Sequence, residues 1–223
     1  MQLVVMVVGA LAEMSGWWLV ASRRRSVWRL MPLVLGVMGI AAVLVRPPVA
    51  ATRVADLTAA LIGVGSGLAL FAATRVFVWL ASRWDPFRRD VAQKYREAQE
   101  VSLGRSLVLS LLIMVPAEEL FWRGLFQGHL SASTTIGIAA VTTWICYVVA
   151  NAPSRSLPIL AGAMVGGGLW TWLAWWSGGV LASLGSHILW TGLMLILPPG
   201  TGTTVGRRSE DLPSDQPGDE PER

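Results

Sequence analysis

The chain has 223 residues, of which 53% are hydrophobic and only 14% charged, with a formal net charge of +4. Soluble domains carry about 25% charged residues, so this composition excludes an ordinary water-soluble domain and defines a multi-span membrane protein. The isoelectric point near 10.2 does not signal nucleic-acid binding, because the arginines gather in short loops, where they act as topology signals. The single cysteine, Cys146, excludes an internal disulfide and a Cys-rich zinc site.

A membrane helix needs about 20 mostly apolar residues. Seven spans are predicted, at roughly 2–21, 28–45, 55–81, 106–128, 133–152, 157–176 and 179–197. The first lacks the basic leader of a cleavable signal peptide and is expected to be retained. Arg23, Arg24, Arg25 and Arg29 follow it, and a long arginine-rich loop runs from Arg83 to Arg105. The positive-inside rule puts both segments in the cytoplasm, with Met1 outside and the C-terminus inside. The long loop predicts its own helix, opened by Asp85 and Pro86, with Phe87, Val91, Tyr95 and Ala98 on one face. That helix is expected either to lie on anionic lipid or to form a solvated connector. Trp17, Trp18, Trp28, Trp79, Trp84, Trp172, Trp175 and Trp176 fall near span ends, as interfacial anchors do. Gly63, Gly65 and Gly67 sit in an apolar span without the strand–helix context of a nucleotide loop. Gly162 and Gly166–Gly168 are suited to close helix packing.

The fold class is therefore all-α, a polytopic transmembrane bundle of about seven spans. The chain divides into N-terminal spans with a cytoplasmic amphipathic segment (1–105), a helical core (106–197) and an acidic tail (198–223) too polar to bury a core.

The run Pro116-Ala117-Glu118-Glu119-Leu120-Phe121-Trp122-Arg123 puts two carboxylates and a guanidinium inside an apolar stretch. Charges at membrane depth cost on the order of 2.5–3.5 kcal/mol each on insertion scales, and they mark functional sites. Glu119 and Arg123 are spaced i, i+4 and can pair as a structural ion pair. Glu118 projects about 100° away and is left as a candidate general base. The alternative is a charge cluster that only locks helix packing. His187 lies in the last span, with the Thr191 hydroxyl four residues on. His129 stands about 16 Å along a straight helix from Glu118, at about 1.5 Å per residue, and is expected to be interfacial.

Glu118-Glu119 with Arg123, and His187 followed by Thr191, resemble the CPBP family over about 106–197. That family groups CAAX-type prenyl endopeptidases with bacteriocin-processing and immunity proteins. Its pattern is Glu-Glu-x-x-x-Arg, then Phe-x-x-x-His, then His-x-x-x-Asn on successive late helices. Here the second motif reads Tyr147-Val148-Val149-Ala150-Asn151, and Thr191 replaces the Asn of the third. The resemblance implies a peptide-bond hydrolase acting on membrane-associated peptides or proteins, with membrane lipid as its other partner and no nucleic acid. It implies Glu118 as the base that activates water and Asn151 where a histidine would hold that water or a metal. His187 and Thr191 would stabilise an oxyanion, and Glu119 and Arg123 would be structural. Zinc is possible by resemblance but disfavoured, because an amide is a poor zinc ligand. The rival reading is a catalytically impaired member serving as a membrane scaffold or regulator. The sequence leaves the substrate and the oligomeric state open.

Overall fold

The structure, a computed structural model, describes residues 1–199, apart from the side chain of Ile136. Of the acidic tail expected at 198–223, residues 200–223 lie outside the described residues. Among those residues all regular structure is helical: α1 (Gln2–Ala21), α2 (Val27–Val45), α3 (Asp56–Ala81), α4 (Asp85–Ala98), α5 (Leu103–Leu130), α6 (Ile136–Asn151), α7 (Leu157–Ser177) and α8 (Leu181–Ile196).

Of these, α1, α2, α3 and α7 are each long and apolar enough to cross a membrane, and α4 meets α5 at a 96° bend. The seven-span expectation needs α5, α6 and α8 to cross as well. At 16 residues each, α6 and α8 are short of the roughly 20 residues that a full crossing requires. Long-range hydrogen bonds sort the helix ends into two groups. At one end Gln2 donates to the Val45 carbonyl and meets His129, and the Val180 amide donates to Val49 O. At the other end the Trp28 indole donates to Glu97 O, and Arg75 donates to Leu197 O. The outward faces of α1 to α3 expose Leu3, Val7, Leu33, Val37, Leu57 and Leu61, a belt suited to lipid. Met31, Leu35, Phe121, Trp122, Leu125 and Leu173 are fully buried between the helices.

Between lipid-soluble helices close packing depends on small residues, because lipid is as apolar as leucine. A Cβ placed on Gly63 would lie 2.5 Å from Ala182 O, and one on Gly67 2.8 Å from Ser186 O. Those two glycines let α3 run against the backbone of α8 beside His187. Gly39 does the same for α2 against Ala117, next to Glu118, where an added Cβ would sit 2.7 Å from Ala117 Cα. Gly167 makes room for the Tyr147 ring, as the expected packing role of the α7 glycines requires.

Helix α5 is not regular. Wide π-helical turns at Ser110–Met114 and Leu120–Gln127 flank the short α-helical stretch Val115–Glu119. Pro116 gives one physical reason: it lacks an N–H and its ring collides with the carbonyl four residues back, which a widened turn relieves.

The amphipathic face expected of α4 is present but turns inward. Phe87 and Val91 are buried against Val78 of α3 and pack on Leu157 of α7, so this face of α4 docks on the bundle. Asp90 accepts the Leu157 amide at 2.6 Å, which satisfies a free N–H at the start of α7. Trp17 and Trp28 correct the interfacial assignment: both are buried, whereas Trp79 and Trp84 stay exposed.

Substituting valine for Gly63 is expected to lower the thermal midpoint in detergent, since overpacking costs about 1–3 kcal/mol. Gly65→Ala, where a Cβ meets nothing within 4 Å, should leave the midpoint unchanged or higher. Equal behaviour of the two variants in a melting scan would contradict the close α3–α8 contact.

Candidate active site

The charges of α5 meet partners from three other helices. Arg123 Nη1 donates to Glu119 Oε1 at 3.2 Å, and neither side chain reaches solvent. Arg123 Nη2 donates to Gly167 O at 3.1 Å and to Thr171 Oγ1 at 3.5 Å on α7. The guanidinium carbon lies 4.6 Å from the centroid of Tyr147 and 5.6 Å from that of Trp170, within cation–π range. Glu119 Oε1 also accepts from His187 Nδ1 at 2.9 Å. Glu119 thus holds both the arginine and the histidine ring, which stacks on Trp170 at 3.5 Å between centroids.

Glu118 points elsewhere, as its 100° offset requires. Its Oε2 accepts the Tyr147 hydroxyl at 3.2 Å and stands 4.0 Å from His187 Nε2. With Nδ1–H given to Glu119, Nε2 is an acceptor in the neutral ring and a donor in the imidazolium. Asn151 closes the last turn of α6. Its Nδ2 donates to Tyr147 O at 3.0 Å and to Glu13 Oε1 at 3.2 Å. Thr191 is half-buried one turn below His187 and makes no side-chain hydrogen bond among the described residues. His129 is remote from this group and pairs with Gln2.

Glu118, Tyr147, Asn151, His187 and Thr191 all border one cavity of about 570 Å³. From these groups the cavity runs between α3, α7 and α8 to α4, where Phe87, Val91 and Tyr95 line it. Most of its wall is hydrocarbon or aromatic, with the carboxylate, amide, imidazole and hydroxyl gathered together on it. A second cavity, of about 170 Å³, lies at the other end of the bundle and is bordered by Arg46, Arg53, Arg123 and Gln127.

One member of the cluster escaped the sequence reading. Glu13, from the middle of α1, is fully buried and accepts the Trp122 indole N–H at 2.9 Å as well as the Asn151 amide. The available signal was an acid inside an apolar run, as for Glu118, but without the neighbouring charges that single out Glu118.

Zinc in proteins takes cysteine, histidine and carboxylate ligands, three or four to a site. Among the described residues no three such side chains are placed to hold one ion. Asn151 stands where the resembled family's pattern has a histidine, and an amide is a poor zinc ligand. The donor set among the described residues does not fit zinc.

Fold and site together define an all-helical, multi-pass membrane protein with buried acids, an arginine and a histidine at its centre. Residues 101–193 match the family model for type II CAAX prenyl endopeptidase, Rce1-like. The match spans α5 to α8 up to Leu193 and holds every candidate residue named from the sequence, consistent with the CPBP resemblance; Glu13 lies outside it. No curated protein and no solved structure matches the chain.

The two adjacent glutamates should respond differently to substitution. Glu119→Ala strands Arg123 at membrane depth, and breaking a buried pair costs about 3–5 kcal/mol, so the yield of folded, monodisperse protein should collapse. Glu118→Gln can still accept the Tyr147 hydroxyl and should fold as wild type. Equal losses in fluorescence-detected size-exclusion chromatography would refute this division.

Proposed function

We propose that the protein is an intramembrane endopeptidase that hydrolyses peptide bonds of membrane-associated peptides or proteins, with Glu118 as general base. The observation that carries this reading is the shared cavity. It offers a carboxylate, an imidazole and a hydroxyl around a space open to an apolar chain. The Rce1-like match supports the same class of reaction.

In the proposed reaction Glu118 takes a proton from a water as the oxygen attacks the scissile carbonyl carbon. The carbonyl oxygen becomes an oxyanion, which the Thr191 hydroxyl and His187 Nε2–H, in the imidazolium form, can meet. Glu118 then returns the proton to the leaving nitrogen. The C–N bond breaks, leaving a carboxylic acid and an amine, and the acid then passes its proton to the amine or to water. Glu119 and Arg123 hold His187 and the helices in place. One preorganised donor to an oxyanion is worth about 2.7–4 kcal/mol, and the proposed site offers two. The arginine bias of 23–29 and 83–105 supports a cell-membrane orientation with those loops and the C-terminus in the cytoplasm. The α4 mouth of the cavity would then face the cytoplasm.

Purified protein in bilayer nanodiscs is expected to cleave a membrane-tethered peptide reporter. Glu118→Gln should reduce the rate by about 10²–10⁴-fold, the usual contribution of general acid–base catalysis, without loss of folded protein. Cleavage should survive exhaustive chelation. Reporter libraries left intact by wild type and Glu118→Gln alike would favour a scaffold.

The orientation is checked separately in a Cys146→Ser background. Single cysteines at positions 27 and 100 should resist an impermeant thiol reagent outside intact cells and react after permeabilisation. Labelling from outside would reverse the assigned topology.

A further inference from the structure

We infer that Glu13 is a positioning residue that locks the Asn151 amide with its carbonyl oxygen turned into the cavity, so that Asn151 supplies the water-holding acceptor of the site. The inference rests on the endopeptidase reading and assigns a role to a helix that the Rce1-like match does not cover.

A side-chain amide has two N–H donors and one carbonyl acceptor. Both hydrogens of Asn151 Nδ2 have partners, Glu13 Oε1 at 3.2 Å and Tyr147 O at 3.0 Å. Both partners are oxygen acceptors, so the reversed amide would set an oxygen against two oxygens. The orientation is therefore fixed by chemistry. What remains is Oδ1, which bonds to no group among the described residues and belongs to a side chain on the cavity wall. Glu118 lies on the same wall and is tied to the same turn of α6, since Tyr147 gives its hydroxyl to Glu118 Oε2 and its carbonyl to Asn151. A water between Glu118 and Asn151 would find two acceptors, one for each hydrogen, with its oxygen lone pair left for attack.

The same geometry explains how an asparagine can occupy a position where the family pattern has a histidine. A neutral imidazole that gives its N–H to a carboxylate presents a lone pair on its other nitrogen. Asn151, giving Nδ2–H to Glu13, presents a carbonyl lone pair. Glu13 is itself fixed by the Trp122 indole N–H at 2.9 Å, and it is fully buried. Its carboxylate accepts from the Trp122 indole and the Asn151 amide, both neutral donors.

Asn151 is the only asparagine in the chain, so protein grown with side-chain ¹⁵N-asparagine reports on this amide alone. In wild type its two amide protons should exchange slowly with D₂O. Glu13→Gln retains the size of the side chain, but its single carbonyl can satisfy the indole or the amide, not both. In folded Glu13→Gln protein the exchange should quicken at least about tenfold, the worth of one net hydrogen bond. On the membrane-tethered reporter kcat should fall by a similar factor at unchanged KM. The double variant Glu13→Gln/Asn151→Asp restores a matched pair, with the new glutamine donating to the new carboxylate. It should exceed Asn151→Asp alone in kcat, and this comparison decides the matter if Glu13→Gln alone folds poorly.

Unchanged exchange in folded Glu13→Gln overturns the lock. Faster exchange with kcat intact, or a change confined to KM, overturns the positioning role, as does a double variant no better than Asn151→Asp. If wild type cleaves no reporter, the endopeptidase reading and the positioning role fall together, whereas the exchange measurement still decides whether Glu13 holds the amide.

Discussion

A guanidinium buried among membrane helices needs acceptors, and at the centre of the bundle Arg123 finds them for both Nη atoms, first in its ion pair with Glu119, while Nε has none among the described residues. The arginine takes carbonyl and hydroxyl oxygens from α7 and an aromatic face from α6, while the glutamate reaches across to His187 of α8. One ion pair within a single helix therefore fixes three others around it. Replacing buried ion pairs by hydrocarbon is often neutral for stability, so the value of this one lies in geometry. It sets the ring plane of His187 and leaves Glu118, one residue away, on a different face and without a cation in hydrogen-bond contact.

The acids and bases of the centre were legible because the bilayer makes them so. Glu118, Glu119, Arg123 and His187 stand out against apolar sequence, and the i, i+4 spacing announced the pair. Glu13 obeys the same physics and was passed over because it has no charged neighbour at helical spacing; its partners, Trp122 and Asn151, are distant in sequence. Asn151 was judged by the chemistry of an isolated amide, whereas its neighbours decide which end of that amide is offered to the cavity. Gly63 and Gly67 read in sequence as part of an apolar span, but their contact with α8 cannot be read from glycine alone. The inward turn of α4 was hidden for a similar reason. Its apolar face announces a partner but cannot say whether that partner is lipid or protein.

The docking of α4 gives the cavity one wall that is not a membrane-crossing element. Phe87 and Val91 contribute hydrocarbon to the cavity, while Lys94 pairs with Glu97 at 2.8 Å along the helix. The contacts that hold α4 down are few and specific: Asp90 at the start of α7, the Trp28 indole on Glu97 O, and Ser26 on the Glu100 carboxylate. The first pair of helices, through their connecting turn, thereby shares in shaping the chamber that the later helices supply with polar groups.

The two cavities open toward opposite ends of the bundle, and Arg123 lies between them. It borders the smaller one directly and is set behind Tyr147 and Trp170, which line the larger. A protein that admits water deep into a bilayer from either side risks becoming a leak for protons and small cations. Arg123, paired with Glu119 and flanked by the rings of Tyr147 and Trp170, stands between the two cavities. The arrangement that orders the histidine is thus also the partition between the two cavities.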